Sequence, residues 1–68
     1  MVNGKKIAEL MRQKGIMNKA LAAEVGVSES MMTYITKELR EPNVTVLARI
    51  AKALGCAVDE LIIKEGTA

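Results

Sequence analysis

Ser30, Thr33, Tyr34 and Lys37 recur at a spacing that puts them on one arc of roughly 100° if residues 29–37 form a helix. With Glu29 just ahead of them, that face carries hydroxyls, a phenol, a carboxylate and an ammonium group. These groups donate and accept hydrogen bonds, and they suit the reading of another molecule's polar edges. They do not suit bond cleavage. The chain has no His and a single Cys, so it lacks the material for a His-based triad, a zinc site or an intramolecular disulfide. With no nucleophile–base pair, and with 68 residues leaving little chain for a substrate cleft, an enzyme is not expected. No catalytic residue, metal ligand, cofactor or small-molecule ligand is evident.

Such a face needs a scaffold, and the flanking residues predict one. Asn18 to Lys37 reads as two short helices joined through Val25, Gly26, Val27 and Ser28. The earlier helix spans Asn18 to Val25, with Leu21, Ala22 and Val25 on one side and Lys19 and Glu24 pointing away. Gly26 ends it, because the left-handed backbone needed there costs a residue with a side chain about 1–2 kcal/mol. The Ser28 hydroxyl is placed to cap the later helix, in which Met32, Ile35 and Leu39 line up opposite the polar face. Ala22 is small enough for the two helices to cross closely, so the stretch has the spacing of a helix-turn-helix.

The remaining helices are expected to supply the core. Ile7, Leu10 and Met11 fall at i, i+3 and i+4 within Gly4 to Lys14, with Gly15 as a left-handed cap and Arg12 and Lys14 complementing the helix dipole. After a polar loop of Arg40, Glu41, Pro42 and Asn43, a helix over Val44 to Leu54 buries Leu47, Ile50, Ala51 and Leu54 and stops at Gly55. A brief fifth segment, Val58 to Lys64, can turn Val58, Leu61 and Ile62 inward, leaving Ile63 over. Met1 to Asn3 and Glu65 to Ala68 are the segments expected to fray. The fold class is therefore all-α, a compact bundle of about five short helices in one domain over residues 1–68.

Composition agrees with this outline. Half of the residues are hydrophobic, yet Tyr34 is the sole aromatic, so the core is built from Leu, Ile, Val, Met and Ala, which favours packed helices over a β-sandwich. The formal charge of +2 is a mild bias, and placement of the cations matters more than their number. Met31 reads as flexible core filler or as a contact with a thymine methyl or a partner, and Cys56 reads as a small buried hydrophobe. No apolar run approaches the roughly 20 residues of a membrane span, and no signal peptide is evident. A cytoplasmic location without membrane association is expected.

Across nearly its whole length the chain resembles the lambda-repressor-like, Cro and XRE-type family of DNA-binding domains. Leu21, Ala22, Gly26, Met32 and Ile35 stand where that family has its helix-two Leu-Ala pair, its turn Gly and its buried recognition-helix residues. Arg40 and Pro42, then Leu47, Ile50, Ala51, Leu54, Gly55, Asp59, Glu60 and Leu61, follow the family's closing pattern. The resemblance implies double-stranded DNA as the partner, with residues 29–37 in the major groove. It assigns Glu29, Ser30, Thr33 and Tyr34 to base edges and Asn18, Lys19, Lys37 and Arg40 to phosphates. Glu29 has a second reading as a favourable charge at a helix amino end, and the cations, with Arg49 and Lys52 above all, one as plain surface charges.

Four positions depart from the family pattern. Met17 replaces a capping Ser or Thr, Asn18 a Gln, Thr36 a Glu and Glu38 a Gly. A left-handed Glu38 is strained; otherwise the helix runs on and Leu39 packs beneath it. The implied activity is that of a small prokaryotic or phage-type transcriptional regulator binding a near-palindromic operator as a homodimer, with Val58, Ile62 and Ile63 as the candidate subunit contact. The alternative is a protein-interaction module, antitoxin-like or an anti-repressor partner, that keeps the helices without binding an operator. The low net charge, Glu29, Glu38 and Met31 beside Met32 support it.

Overall fold

Among the described residues, four α-helices form where the apolar spacing predicts them: α1 over Gly4–Lys14, α2 over Asn18–Val25, α3 over Glu29–Thr36 and α4 over Val44–Leu54. The structure, a computed structural model, describes residues 1–63. The expected fifth helix is only a single turn of 3₁₀ helix over Val58–Leu61, and Ile62 beyond it is extended. Lys64 and the Glu65 to Ala68 tail lie outside the described residues. Among the described residues no helix is long and apolar enough to cross a membrane.

Side-chain caps define most helix starts. Asn3 Oδ1 accepts from the Lys6 N–H, Ser28 Oγ from that of Met31 and Asn43 Oδ1 from that of Val46. Helix α2 begins at Met17 with no side-chain cap. At the other ends, Gly15, Gly26 and Gly55 all have left-handed backbones, with φ of 68°, 81° and 69°.

The third helix closes the same way without a glycine. Glu38 has φ of 62°; its N–H donates to the Ile35 carbonyl, and the Leu39 N–H donates to that of Tyr34. Gly15 with Ile16, and Gly55 with Cys56, make the same pair of bonds at their helix ends. Glu38 thus takes the strained alternative of the two that the sequence allowed. The turn it makes swings Leu39 out of line with Met32 and Ile35, so Leu39 is 67% exposed and not part of the buried stripe.

Ile7, Met11, Leu21, Ala22, Val25, Met32, Ile35, Ile50, Ala51, Leu54 and Leu61 are buried in one cluster, joined by Val2. Among the described residues no polar or charged residue is buried. Leu10 and Leu47 lie at its margin, half-buried. Val58, expected to turn inward, is on the solvent side of the 3₁₀ turn at 36% exposure.

The amino end also departs from expectation. Val2 is only 1% exposed and pairs with Ile62 as an antiparallel bridge. The Asn3 N–H donates to the Leu61 carbonyl at 2.7 Å, and the Ile63 N–H to the Met1 carbonyl at 2.7 Å. These bonds satisfy backbone groups that a frayed end would leave to water, and Val2 adds its side chain to the core. Met1 to Asn3 is therefore a fixed part of the fold.

Candidate nucleic-acid interface

Helix α2 packs on both α3 and α4, and α1 also packs on both. Leu21, Ala22, Gly26, Met32 and Ile35 all stand as scaffold: the apolar four are buried, and Gly26 makes the turn. With Met32 and Ile35 turned inward, the opposite face of α3 is displayed. Glu29, Ser30 and Tyr34 are exposed on it, and Thr33 is half-buried at its edge. Met31 is half-buried against the core.

Thr33 is held from the side by Asn18. The Asn18 amide nitrogen donates to the Glu29 carbonyl at 3.2 Å and to Thr33 Oγ1 at 3.3 Å. A carbonyl can only accept, so this contact fixes which end of the amide faces α3. Thr33 Oγ1 therefore accepts from Asn18 and keeps its own hydrogen for an outside acceptor. The shorter Asn, in place of the family's Gln, lies against α3 and ties the first residue of α2 to the displayed face.

Lys19 follows Asn18 at the start of α2, Lys37 follows the last residue of α3 and Arg40 lies in the loop beyond it; all three are exposed. The start of α2 adds a partial positive charge of another kind. Its first N–H groups have no side-chain cap, and a helix amino end with free amides is a ready anion site beside the cations. Glu29 lies in the first turn of α3, where the helix dipole favours its charge.

Arg49, Glu38 and Glu41 have structural partners that no local pattern in the sequence marks. The Arg49 guanidinium donates to the Val25 carbonyl at 3.4 Å, so it closes the carboxyl end of α2. Glu38 Oε2 accepts from the Gly4 N–H at 2.9 Å. The Glu41 carboxylate accepts from the Val2 N–H, at 2.9 Å through Oε1 and 3.2 Å through Oε2. The only sequence signal for these was negative, a Glu in a left-handed position with no evident reason. Cys56 is half-buried, and burial, then the nearby Glu60 carboxylate, pushes its thiol pKa up despite Lys6 and Lys14.

Two short helices crossing over a small residue, with an outward polar face on the second and cations around it, define a helix-turn-helix. The model of the Cro/C1-type HTH DNA-binding domain matches residues 6–65, and the chain belongs to that family. An uncharacterized HTH-type transcriptional regulator of Sinorhizobium fredii, y4dJ, is 32% identical over 59 residues, which are 87% of this chain and 77% of that protein. The P22 c2 repressor in complex with the synthetic operator 9T superposes with a TM-score of 0.81 at 30% identity, covering 87% of this chain and 89% of that one. The N-terminal DNA-binding domain of the biofilm regulator SinR from Bacillus subtilis gives a TM-score of 0.76 at 26% identity over the full length of both chains.

Proposed function

We propose that this chain is a single helix-turn-helix domain that binds double-stranded DNA sequence-specifically as a transcriptional regulator, and not an enzyme. The observation that carries this reading is the exposed polar face of α3, framed by Lys19, Lys37, Arg40 and the uncapped start of α2. Helix α3 enters the major groove and presents Glu29, Ser30, Thr33 and Tyr34 to base edges. With its hydrogen free, Thr33 meets an acceptor: purine N7, guanine O6 or thymine O4. Lys19, Lys37, Arg40 and the first amides of α2 meet phosphates and set the register. With its side chain turned to α3, Asn18 contributes to the phosphate contact through its backbone N–H.

One recognition helix covers few base pairs, so the domain acts as a homodimer on a near-palindromic site, its two α3 helices one turn of DNA apart. In a regulator of this kind the site of action is the cytoplasm. The two classes of contact differ in what their loss does. Lys37→Ala and Arg40→Ala weaken binding to every sequence and lower the salt slope by about one unit per lost phosphate contact, whereas changes at Ser30 or Tyr34 alter the preference among sequences. Fluorescence anisotropy across a salt series, on random and selected duplexes, reads both effects. If both classes bind every duplex as the parent does, the groove assignment is wrong.

A further inference from the structure

We propose that Glu38 and Glu41 are positioning residues of the DNA-binding surface: they tie the loop carrying Lys37 and Arg40 to the amino end of the chain. The proposal rests on the DNA-binding reading above. It deepens that reading by making Met1 to Gly4, remote from the displayed face in sequence, part of the binding apparatus.

The loop from Lys37 to Asn43 is held at two points. Glu38 reaches the Gly4 N–H, and Glu41 takes the Val2 N–H with both carboxylate oxygens. Arg40 lies between the two tethers, and Lys37 immediately precedes the first. The other end of each tether is firm, because Val2 is buried and the flanking N–H and carbonyl groups of Met1 and Asn3 are bonded to Leu61 and Ile63. Gly4 brings α1 so close to the end of α3 that a Cβ there would collide with the Thr36 carbonyl oxygen. The positive end of the α1 dipole thus meets the negative end of α3 and the Glu38 carboxylate together. A charge-assisted bond to a free amide at a helix start is among the stronger polar contacts available to a surface loop.

This arrangement accounts for two features otherwise unfavourable in a DNA binder. Glu38 keeps a left-handed backbone that glycine would adopt without strain, and it places a carboxylate beside a polyanion. Both are offset when that carboxylate fixes the loop. Loss of the tether lets Lys37 and Arg40 swing away from the phosphates, so their contribution to counterion release falls.

The test compares Glu41→Ala with Glu41→Gln, and Glu38→Gly with Glu38→Gln, by anisotropy on a random-sequence duplex across a salt series. Within each pair both variants remove the same negative charge, but only Gln keeps an acceptor for the amide. The expected result is a salt slope lowered by about one unit or more in Glu41→Ala and Glu38→Gly, and parental slopes in the Gln variants. Glu38→Gly also removes the left-handed strain, so its binding loss is expected without a matching loss of melting temperature. Equal slopes within each pair overturn the proposal, as does tighter binding by all four variants, which is what relief of charge repulsion alone would give. A parent protein without salt-dependent binding instead overturns the DNA-binding reading, and this proposal with it.

Discussion

Gly4→Ala separates what the sequence says about this position from what the structure says. As the first residue of an amphipathic helix, Gly4 looks replaceable, and helix propensity alone gives the alanine variant up to about 1 kcal/mol of added stability. The structure reverses the sign. A Cβ on Gly4 would overlap the Thr36 carbonyl oxygen and stand 2.7 Å from that of Ile35, and both obstacles are backbone, which no rotamer change can move. Restoring ordinary contact requires α1 and the end of α3 to part by on the order of 1 Å. That shift pulls on the Gly4 N–H to Glu38 bond, 2.9 Å long in the parent, and weakens it. Overpacking of this kind costs about 1–3 kcal/mol, and the weakened charge-assisted bond adds about 1 kcal/mol or more. Set against the propensity gain, the net loss is about 1–3 kcal/mol, a large share of the total for a domain of this size. At about 4–8 °C per kcal/mol, far-ultraviolet circular dichroism should record a melting temperature lower by about 4–24 °C. A variant as stable as the parent, or more so, would refute the close approach of α1 and α3.

Two further outcomes test other parts of the fold. Met17→Ser gives α2 the side-chain cap it lacks and, since Met17 is 74% exposed, sacrifices little packing; urea denaturation should show a gain of about 0.5–1 kcal/mol. Burial raises the Cys56 pKa in the folded state, so its contribution to stability is full below the free thiol's pKa of about 8.5 and is lost as pH rises through the folded value. Midpoints should therefore fall with rising alkalinity by more in the parent than in Cys56→Ala; parallel pH curves would place the thiol in a water-like setting.

Much of the fold was legible in the sequence because local rules and tertiary packing agree there. The i, i+3, i+4 spacing of Ile7, Leu21, Val25, Met32, Ile35, Ile50 and Leu54, and the capping residues Ser28, Gly15 and Gly55, act within a turn or two of their own helix. Leu39 went the other way because its direction depends on the φ of Glu38, whose carboxylate is bonded to Gly4, a partner remote in sequence. The Val2 bridge to Ile62, the Glu41 bond to Val2 and the Arg49 cap on α2 all join residues distant in sequence, and no periodicity marks them. The polar face of α3 was readable as a face. The pairing of Asn18 with Thr33, which decides what Thr33 can offer, depends on how two helices cross. Glu38, a residue that seemed to favour a protein-interaction module, has a structural partner in Gly4 and no longer weighs toward that reading.

Whether the displayed face of α3 reads DNA sequence is decided by selection of bound duplexes from a random pool with the folded protein. The expected outcome is enrichment of a near-palindromic site whose half-sites are centred one helical turn apart, with Ser30 and Tyr34 variants enriching altered half-sites. A pool that stays random through successive rounds, from a protein whose folding is verified in the same buffer, would contradict it.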